Sequence, residues 1–415
     1  MTPSPLTARA RIAVLAAAFF GLVFDGVELG LMPVASLSVS KSLLGPAYTP
    51  AIGAAWVAKF TAALMLGAAI GGIWLGSLGD RLGRSRAMGL SILFYSLFAA
   101  FGSFVRTQEQ MLVLRFFVGL GIGGVWPNAI ALVSECWPGV SRPVVSGVTS
   151  AGLNFGILLL SQFARVWPIT PDSWRWIFQI AGIPALLGIL VLTLLPESPR
   201  WLASRGTAKP KSTPLRELLG PQLRRITMFG ILISSIPMVG AWAASKWMIP
   251  WADQLTGSSN AGYKAATQGY WALGATLGSF AGSQIASALG RRLSYALISI
   301  GSCALTIFMF QGTAPLQASF HPIVFVQGFV STLFFGWLAL YLPELFPTEV
   351  RATGTGLAYN SGRFATAAGV LAVGFLFSAL GGDYARVGSL CAMIYGLGLI
   401  AICLAPTTSK GGLHD

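Results

Sequence analysis

Apolar stretches of about 20 residues recur along the whole chain, and they constrain its fold more than any other feature. Each one is long enough to cross roughly 30 Å of hydrocarbon at about 1.5 Å of helix rise per residue. Only 10% of the 415 residues are charged, against roughly 25% in soluble domains, so a water-exposed surface is hard to build. The sequence therefore predicts an all-α membrane protein with twelve transmembrane helices. We number the predicted spans 1 to 12 in chain order: 11–35, 53–78, 87–104, 109–134, 143–165, 174–195, 224–250, 264–289, 293–311, 321–342, 352–380 and 384–405.

The net charge of +14 is distributed in a way that predicts membrane topology. With both termini on one side, most of the 27 Lys and Arg residues fall on that same side. Basic residues accumulate in cytoplasmic loops, so both termini are predicted to be cytoplasmic. Nucleic-acid binding would need basic residues interleaved with aromatic ones on a single face, and this pattern is absent. We expect a multi-pass protein of a bacterial inner membrane, present in the lipid bilayer as a monomer.

Two blocks with the pattern E-x-x-P-x-x-x-R indicate an internal duplication. They occupy 135–142 and 344–351, each at a predicted cytoplasmic turn between two spans. Parallel repeats of this kind place a substrate site between the two halves, near the membrane midplane. We therefore predict an N-terminal six-helix bundle over 1–195, a cytoplasmic linker over 196–223 and a C-terminal six-helix bundle over 224–415.

The loop after span 2 has the pattern G-x-x-x-D-R-x-G-R, from Gly76 to Arg84. This pattern resembles the signature loop of the major facilitator superfamily. Span 4 contains a similar family segment, R-x-x-x-G-x-G-x-G from Arg115 to Gly123, whose glycines allow close helix packing. The resemblance implies two pseudo-symmetric six-helix bundles and an inner gate made by the loop and the charges of the duplicated blocks. The implied gating residues are Gly76, Asp80, Arg81, Gly83, Arg84, Glu135, Arg142, Glu344 and Arg351.

Two further motifs narrow the resemblance within the superfamily. Residues 196–202 read P-E-S-P-R-W-L, which is similar to a block of sugar porters and organic-ion transporters. Residues 25–28 of span 1 read D-G-V-E, which resembles the D-G-[FY]-D segment of aromatic-acid/proton symporters. In the second half, Ser287 stands where Asp80 would repeat, so only the first half is expected to carry a strong latch. These resemblances imply a secondary transporter that uses the proton as its coupling ion and needs no cofactor.

Asp25 and Glu28 of span 1 are the predicted proton-coupling residues. They are three positions apart and share one helix face, slightly beyond the membrane midplane. Two carboxylates in a low-dielectric environment cannot both be ionised cheaply, so at least one is expected to hold a proton. Arg115 of span 4 is expected to be the counter-ion that tunes them. The alternative is a fixed structural cluster in which Arg115 neutralises the acids.

Arg363, near the midplane of span 11, is the predicted substrate anchor. A guanidinium in the membrane without an acid in its own span needs an anion, and its planar fork suits a carboxylate. Asn154 of span 5 is its counterpart by repeat and is expected to assist as a hydrogen-bond donor. The alternative is a salt bridge from Arg363 to the acids of span 1. The other residues predicted to border the substrate are Tyr359, Asn360, Gln327 and Trp337.

Together these residues favour proton-coupled symport of a small organic anion, a mono- or aromatic carboxylate, by alternating access. A sugar or polyol carrier and an organic-cation (drug) transporter of the same superfamily are the alternatives. Enzymatic activity is not expected, because the chain has only two His residues and no nucleophile–base constellation. No Cys or His spacing indicates a metal site. Lys59 and Lys246, near the outer ends of spans 2 and 7, are expected to extend to the outer membrane interface.

Overall fold

A computed structural model describes residues 6–137, 141–204, 214–256 and 262–405. These ranges contain helices and turns but no strand. The spans of the structure, in order, are Ala8–Leu44, Pro50–Leu82, Arg84–Phe101, Gln108–Cys136, Arg142–Val166, Arg175–Ile180 with Pro184–Leu194, Arg224–Val239 with Met248–Thr256, Tyr263–Leu289, Arg291–Gln311, Phe320–Leu345, Arg351–Ala379, and Tyr384–Ala392 with Leu397–Cys403.

Ten of the described helical spans are long and apolar enough to cross a membrane. The other two, spans 8 and 11, have 27 and 29 residues, which is also a membrane-crossing length. The predicted fold class, an all-α protein with twelve transmembrane helices, is therefore confirmed. The predicted linker over 196–223 contains two short helices, Pro199–Ser204 and Pro214–Leu218, and its residues 205–213 lie outside the described ranges.

Local sequence explains where several spans begin. Thr7, Thr49 and Thr107 each accept a hydrogen bond from a backbone N–H in the first turn of spans 1, 2 and 4. Threonine is a favourable N-cap because its hydroxyl satisfies a donor that has no partner within the helix. The side-chain oxygen of Gln110 accepts a hydrogen bond from the backbone N–H of Thr107 and so completes a capping box. Gly83 separates spans 2 and 3 at φ 115°, a conformation that residues with a Cβ rarely adopt.

Spans 2 and 4 cross in close contact at glycine residues. A Cβ added to Gly71 of span 2 would lie 1.9 Å from the carbonyl oxygen of Leu120 in span 4. Spans 8 and 10 repeat this arrangement in the second half, where a Cβ on Gly282 would lie 2.0 Å from the carbonyl oxygen of Leu333. Membrane helices associate largely through such close packing, because lipid is as apolar as the helix surface. The small residues therefore determine how closely the helices of each half approach.

Replacing Gly71 with alanine is expected to destabilise the protein, because spans 2 and 4 would have to separate. Overpacking of this kind costs about 1–3 kcal/mol. The measurement is the unfolding temperature of the purified protein in detergent. Gly396→Ala is the matched control, since nothing lies within 4 Å of a Cβ at that position. Equal unfolding temperatures for the two variants would contradict the packing role of Gly71.

The two halves meet where span 2 packs on span 11 and where span 5 packs on span 8. We call the face that carries the loop 81–84 the basic side and the other face the opposite side. Both described chain ends lie at the basic side. The Arg11 guanidinium stacks over Trp137, 5.6 Å from the ring centroid, and Arg292 donates a hydrogen bond to the carbonyl oxygen of Ala405.

Candidate functional site

A small cavity lies between the two halves, lined by residues of spans 1, 2, 4, 5, 7, 8, 10 and 11. Its free volume is about 30 Å³, which is room for about one water molecule. An organic substrate would therefore require the halves to separate. The aromatic lining consists of Trp126, Trp242, Trp271, Phe335 and Tyr359, and the polar lining of Ser150, Asn154, Lys246 and Arg363. No acidic side chain is among the described residues that line this cavity.

Arg363 enters the cavity from span 11 and is only 2% exposed. Its Nε and Nη1 atoms have no hydrogen-bond partner, and no carboxylate oxygen of the described residues lies within 4.0 Å of its guanidinium. The Cζ atom lies 5.7 Å from the ring centroid of Tyr359. The alternative prediction, a salt bridge to the acids of span 1, is not formed in this conformation. A buried guanidinium with two open donors is suited to binding an anion.

The three predicted proton-coupling residues are all buried, but they divide into an ion pair and a single acid. Arg115 Nη1 lies 3.1 Å from Glu28 Oε2, so Glu28 is neutralised within the first half. Both carboxylate oxygens of Asp25 lack a hydrogen-bond partner among the described residues. Asp25 also interacts electrostatically with Arg363 of the second half. In this conformation Glu28 and Arg115 form an ion pair, whereas neither carboxylate oxygen of Asp25 has a hydrogen-bond partner among the described residues.

Asn154 and Tyr359, two of the residues predicted to contact substrate, line the cavity. Asn154 Nδ2 donates a hydrogen bond of 2.8 Å to Ser279 Oγ and so links span 5 to span 8. The ring of Tyr359 stacks on Trp126, with 3.8 Å between the centroids, and so links span 11 to span 4. Both contacts join the two halves. They have to change when the halves separate to admit a ligand.

Three other residues were also predicted to border the substrate but do not line this cavity: Asn360, Gln327 and Trp337. Asn360 follows Tyr359 directly, and successive residues of an α-helix point about 100° apart. The side chain of Asn360 is therefore turned away from the cavity, and its Nδ2 donates a 3.0 Å hydrogen bond to the carbonyl oxygen of Gly356.

Gln327 and Trp337 form hydrogen bonds inside the second half. Gln327 accepts a 2.9 Å hydrogen bond from the indole N–H of Trp271 and donates one of 2.7 Å to Ser245 Oγ. Trp337 donates a 2.9 Å hydrogen bond to the carbonyl oxygen of Arg291, close to the basic side. In this conformation both residues have structural partners in place of the predicted substrate contacts. Gln327 nevertheless positions Trp271, which does line the cavity.

The prediction that Lys246 extends to the outer membrane interface is wrong, because its side chain lines the cavity. Span 7 is interrupted here by a π-helical turn, Gly240–Ala244, and a 3₁₀ turn, Ser245–Trp247. These turns alter the helical register and rotate Lys246 toward the cavity. Its Nζ atom lies 3.4 Å from the ring centroid of Trp271. Pro237, in the middle of the predicted span, was the sequence signal for such an interruption.

The signature loop closes the basic side by capping a helix of the other half. Asp80 accepts hydrogen bonds from the backbone N–H groups of Ala352 and Thr353, at 3.3 and 2.7 Å, and from the Thr353 hydroxyl. These N–H groups belong to the first turn of span 11, where a negative charge is favourable. Arg84 lies 3.0 Å from the same carboxylate. Gly76 brings span 2 against span 11, since a Cβ there would lie 3.0 Å from the carbonyl oxygen of Ala352.

Glu135 is the centre of a buried ion network that joins the two halves. Its carboxylate lies 3.2 Å from Arg84 of span 3 and 3.2 Å from Arg351 of span 11, and all three side chains are 0% exposed. Arg84 also donates a 2.7 Å hydrogen bond to the carbonyl oxygen of Thr348. Because Arg351 and Thr348 belong to the second half, the complete network exists only while the basic side is closed.

The second half has a weaker counterpart of this network. Glu344 lies 2.8 Å from Arg291, but both residues belong to the same half and the Arg291 side chain is 18% exposed. Arg142 of the first half is buried and interacts electrostatically with Glu344. Ser287, the counterpart of Asp80, is exposed, and so is Arg81. The first half therefore supplies the stronger closure of the basic side.

The P-E-S-P-R-W-L segment, 196–202, packs under the signature loop. Glu197 accepts hydrogen bonds of 2.9 and 3.2 Å from the first two backbone N–H groups of span 3. Ser198 donates its hydroxyl to the acid at the centre of the buried network, and the indole N–H of Trp201 donates to the carbonyl oxygen of Asp80 at 2.8 Å. Burial raises the pKa of Glu197, and the backbone hydrogen bonds limit that rise. The segment thus holds the loop and span 3 in position for the gate.

A larger cavity of about 390 Å³ lies on the opposite side, bordered by residues of spans 1, 5, 7 and 8 and of the loops after spans 1 and 5. Gln268 lies between this cavity and the central one along span 8. Its Nε2 donates hydrogen bonds to the carbonyl oxygen of Gly30 at 3.4 Å and to Ser161 Oγ at 3.1 Å. The conformation is therefore closed on the basic side, and its larger cavity is on the opposite side.

Comparison with known proteins agrees with this architecture. The family described as Major Facilitator Superfamily matches residues 13–370. The chain is 30% identical over 370 residues to the cis,cis-muconate transport protein of Acinetobacter baylyi. The matched segment covers 87% of this chain and 86% of the relative. It is 26% identical over 399 residues to the gallate transporter of Pseudomonas putida, and this match covers 88% of this chain and 85% of the relative.

The fold is also similar to that of the proton:xylose symporter XylE. The TM-score is 0.78 at 16% sequence identity, and the similarity covers 98% of both chains. The likeness to this structure concerns the fold, while the family match and the relatives concern the sequence itself. The chain therefore belongs to the major facilitator superfamily, and it is a membrane transporter and not an enzyme.

Proposed function

We propose that this protein is a proton-coupled symporter of a small organic anion, a mono- or aromatic carboxylate. The main support is Arg363, which is buried in a cavity between the halves with two donors unused. A guanidinium fork suits a carboxylate, and the aromatic rings around it suit a planar molecule. Two relatives carry the names of cis,cis-muconate and gallate transporters, which agrees with an acidic substrate.

The proposed coupling depends on the charges of Asp25 and Arg363. In the empty carrier the two side chains attract each other across the halves. A bound carboxylate neutralises Arg363 and leaves Asp25 as a buried charge without a counter-ion, so Asp25 binds a proton. The charges of Asp25 and Arg363 are then compensated in both the empty and the fully loaded carrier. In each half-loaded state one of these two charges is uncompensated, which hinders reorientation and couples substrate movement to proton movement.

Alternating access requires the basic side to open and the opposite side to close. We place the basic side in the cytoplasm, because most Lys and Arg residues lie there, and the monomeric protein in a bacterial inner membrane. The network around Glu135 and the cap by Asp80 then form the inner gate. An ion network that exists in one state only biases the equilibrium between states. The cycle uses the proton as coupling ion and no cofactor.

Ligand-induced thermal stabilisation tests the substrate class directly. The purified protein is heated with aromatic and aliphatic carboxylates, neutral sugars and organic cations, at acidic and at neutral pH. Ligands that bind the folded state raise the unfolding temperature by mass action. We expect stabilisation by carboxylates, with a larger effect at acidic pH. Stabilisation by sugars or cations alone would contradict the proposal.

Asp25→Asn is expected to abolish uphill accumulation of substrate, because the amide cannot bind and release a proton. Exchange of substrate across the membrane is expected to persist, since the amide resembles the protonated acid. Accumulation is measured as uptake into proteoliposomes with an imposed pH gradient. Exchange is measured as substrate counterflow in the same proteoliposomes without a pH gradient. Glu109→Gln is the control, because Glu109 is an exposed acid at the start of span 4. Accumulation by Asp25→Asn at the parent level would refute the coupling role.

A further inference from the structure

The central cavity contains a second cation whose charge the proposed mechanism does not use. Lys246 and Arg363 both line this cavity. No carboxylate oxygen of the described residues lies within 4.0 Å of either charged group. Asp25 attracts Arg363 across the halves, and the other buried acid nearby, Glu28, is already paired with Arg115. The three basic side chains in and around the cavity, Arg115, Arg363 and Lys246, therefore outnumber the two nearby acids, Asp25 and Glu28.

The position of Lys246 results from the interruption of span 7. The π turn and the 3₁₀ turn over 240–247 break the regular helix at the depth of the cavity. Irregular backbone inside a membrane is tolerated where it lines a cavity, and it is frequent at ligand sites. Nζ of Lys246 stands over the face of Trp271 at 3.4 Å from its centroid. Gln327 fixes this ring by accepting its indole hydrogen bond at 2.9 Å.

A purely structural role for Lys246 accounts poorly for this arrangement. The face of Trp271 attracts an ammonium group, but a ring carries no net charge and cannot neutralise it. A charged group at this depth is costly unless it meets an anion or water. Lys59 shows the inexpensive arrangement, because it stands 4.3 Å over the Trp56 ring while its side chain is exposed. Lys246 has the same kind of ring contact but points into the cavity.

We propose that Lys246 is a second anion anchor and that the substrates preferred by this carrier are planar dicarboxylates. One carboxylate binds Arg363, the other binds Lys246, and the aromatic rings that line the cavity contact the carbon skeleton. With Asp25 protonated, two negative charges of the substrate balance the two cations of the cavity. A monocarboxylate leaves one cation uncompensated. This inference rests on the proposed function and specifies the substrate class of the same site.

A matched pair of ligands tests the second anchor. Hexa-2,4-dienedioate and hexa-2,4-dienoate share one conjugated six-carbon chain and differ in the second carboxylate. The parent protein is expected to bind the dicarboxylate at least ~10-fold more tightly, which corresponds to about 1.4 kcal/mol. Lys246→Gln is expected to remove this preference and to leave the affinity for the monocarboxylate within about threefold. Affinities come from thermal stabilisation and are compared with uptake into proteoliposomes.

Two further variants make the result specific. Lys246→Arg keeps the positive charge and is expected to retain the preference for the dicarboxylate. Lys59→Gln removes a lysine with a similar ring contact outside the cavity and is expected to behave as the parent. The unfolding temperature of each empty variant shows whether it is folded, and Lys246→Met, which also removes the charge, carries the test if Lys246→Gln does not fold. In that case, retention of the dicarboxylate preference by a folded Lys246→Met overturns the inference, and its loss supports the inference.

The outcomes separate this inference from the proposed function. If Lys246→Gln prefers the dicarboxylate over the monocarboxylate by the same factor as the parent does, the second anchor is refuted while carboxylate transport stands. If the parent binds only the monocarboxylate, the second anchor is again refuted alone. If the parent binds neither these ligands nor any aromatic carboxylate, both proposals fail. Loss of the preference in Lys246→Gln and its retention in Lys246→Arg and Lys59→Gln support the second anchor.

Discussion

Arg363→Ala is expected to lower kcat/KM for carboxylate uptake on the order of 100-fold, because the substrate loses its principal counter-charge. Truncating one member of a buried, hydrogen-bonded charge pair costs about 2–5 kcal/mol, so this magnitude follows if Arg363 binds the carboxylate directly. The measurement is initial uptake into proteoliposomes over a range of substrate concentrations. The unfolding temperature without ligand checks that the variant is folded.

Two controls define the role of the guanidinium. Arg363→Lys keeps the charge but loses the planar fork, so an intermediate loss of uptake is expected. Arg386→Ala removes an arginine of the same half that is 72% exposed, and its uptake is expected to equal that of the parent. Carboxylate uptake by Arg363→Ala at the parent rate would eliminate the anchor and, with it, the main support for an anionic substrate.

Glu135→Gln is expected to open the basic side and to reduce uptake at least ~10-fold, because the closed conformation loses the acid shared by Arg84 and Arg351. Removing one partner of a buried ion network costs on the order of 3 kcal/mol. This cost applies only to the conformation in which the network exists, so the population shifts toward the open gate. The native thiol of Cys136, which is buried beside the network, reports the opening. Its alkylation rate from the basic side is expected to rise at least ~10-fold after the other three cysteines are replaced by serine.

Glu344→Gln is the matched control for the gate. The pair of Glu344 with Arg291 lies within one half and is partly exposed to solvent, so it is worth less than the buried network. We expect a clearly smaller rise in Cys136 alkylation in this variant. Equal rates for the two variants would show that the network around Glu135 does not hold the basic side closed.

Much of this protein follows from local sequence. The length and hydropathy of the spans predict the fold class, since a membrane helix must satisfy its backbone internally. Asp80 shows how far a motif leads: the resemblance implies a gating residue, and the structure has its carboxylate against Arg84 and against the first turn of span 11. The pairing of Glu28 with Arg115 was similarly an explicit alternative, and it is present at 3.1 Å. Asp25 differs from Glu28, three residues away, only because Arg115 reaches one acid and not the other.

Local sequence could not identify all the residues that line the cavity. Asn360 and Trp337 are polar or aromatic residues on spans that border the cavity, yet their side chains point elsewhere. Lys246 was assigned to the interface because its depth was counted along a regular helix, and span 7 is not regular. For Asn360 and Trp337 the depth of the residue was accessible from the sequence but the direction of its side chain was not, and for Lys246 neither was accessible.

The sequence by itself determined the membrane class, the twelve helices, the duplicated halves and the presence of isolated charges in the spans. Those properties depend on the length, composition and repetition of segments, which a single chain displays directly. Only the tertiary structure decided which charges meet, which remain unpaired and which line the cavity. The physical reason is that lipid and protein interior are similarly apolar, so the periodicity of a membrane helix does not show which face packs against protein. Arg363 and Lys246 share one cavity because of that packing.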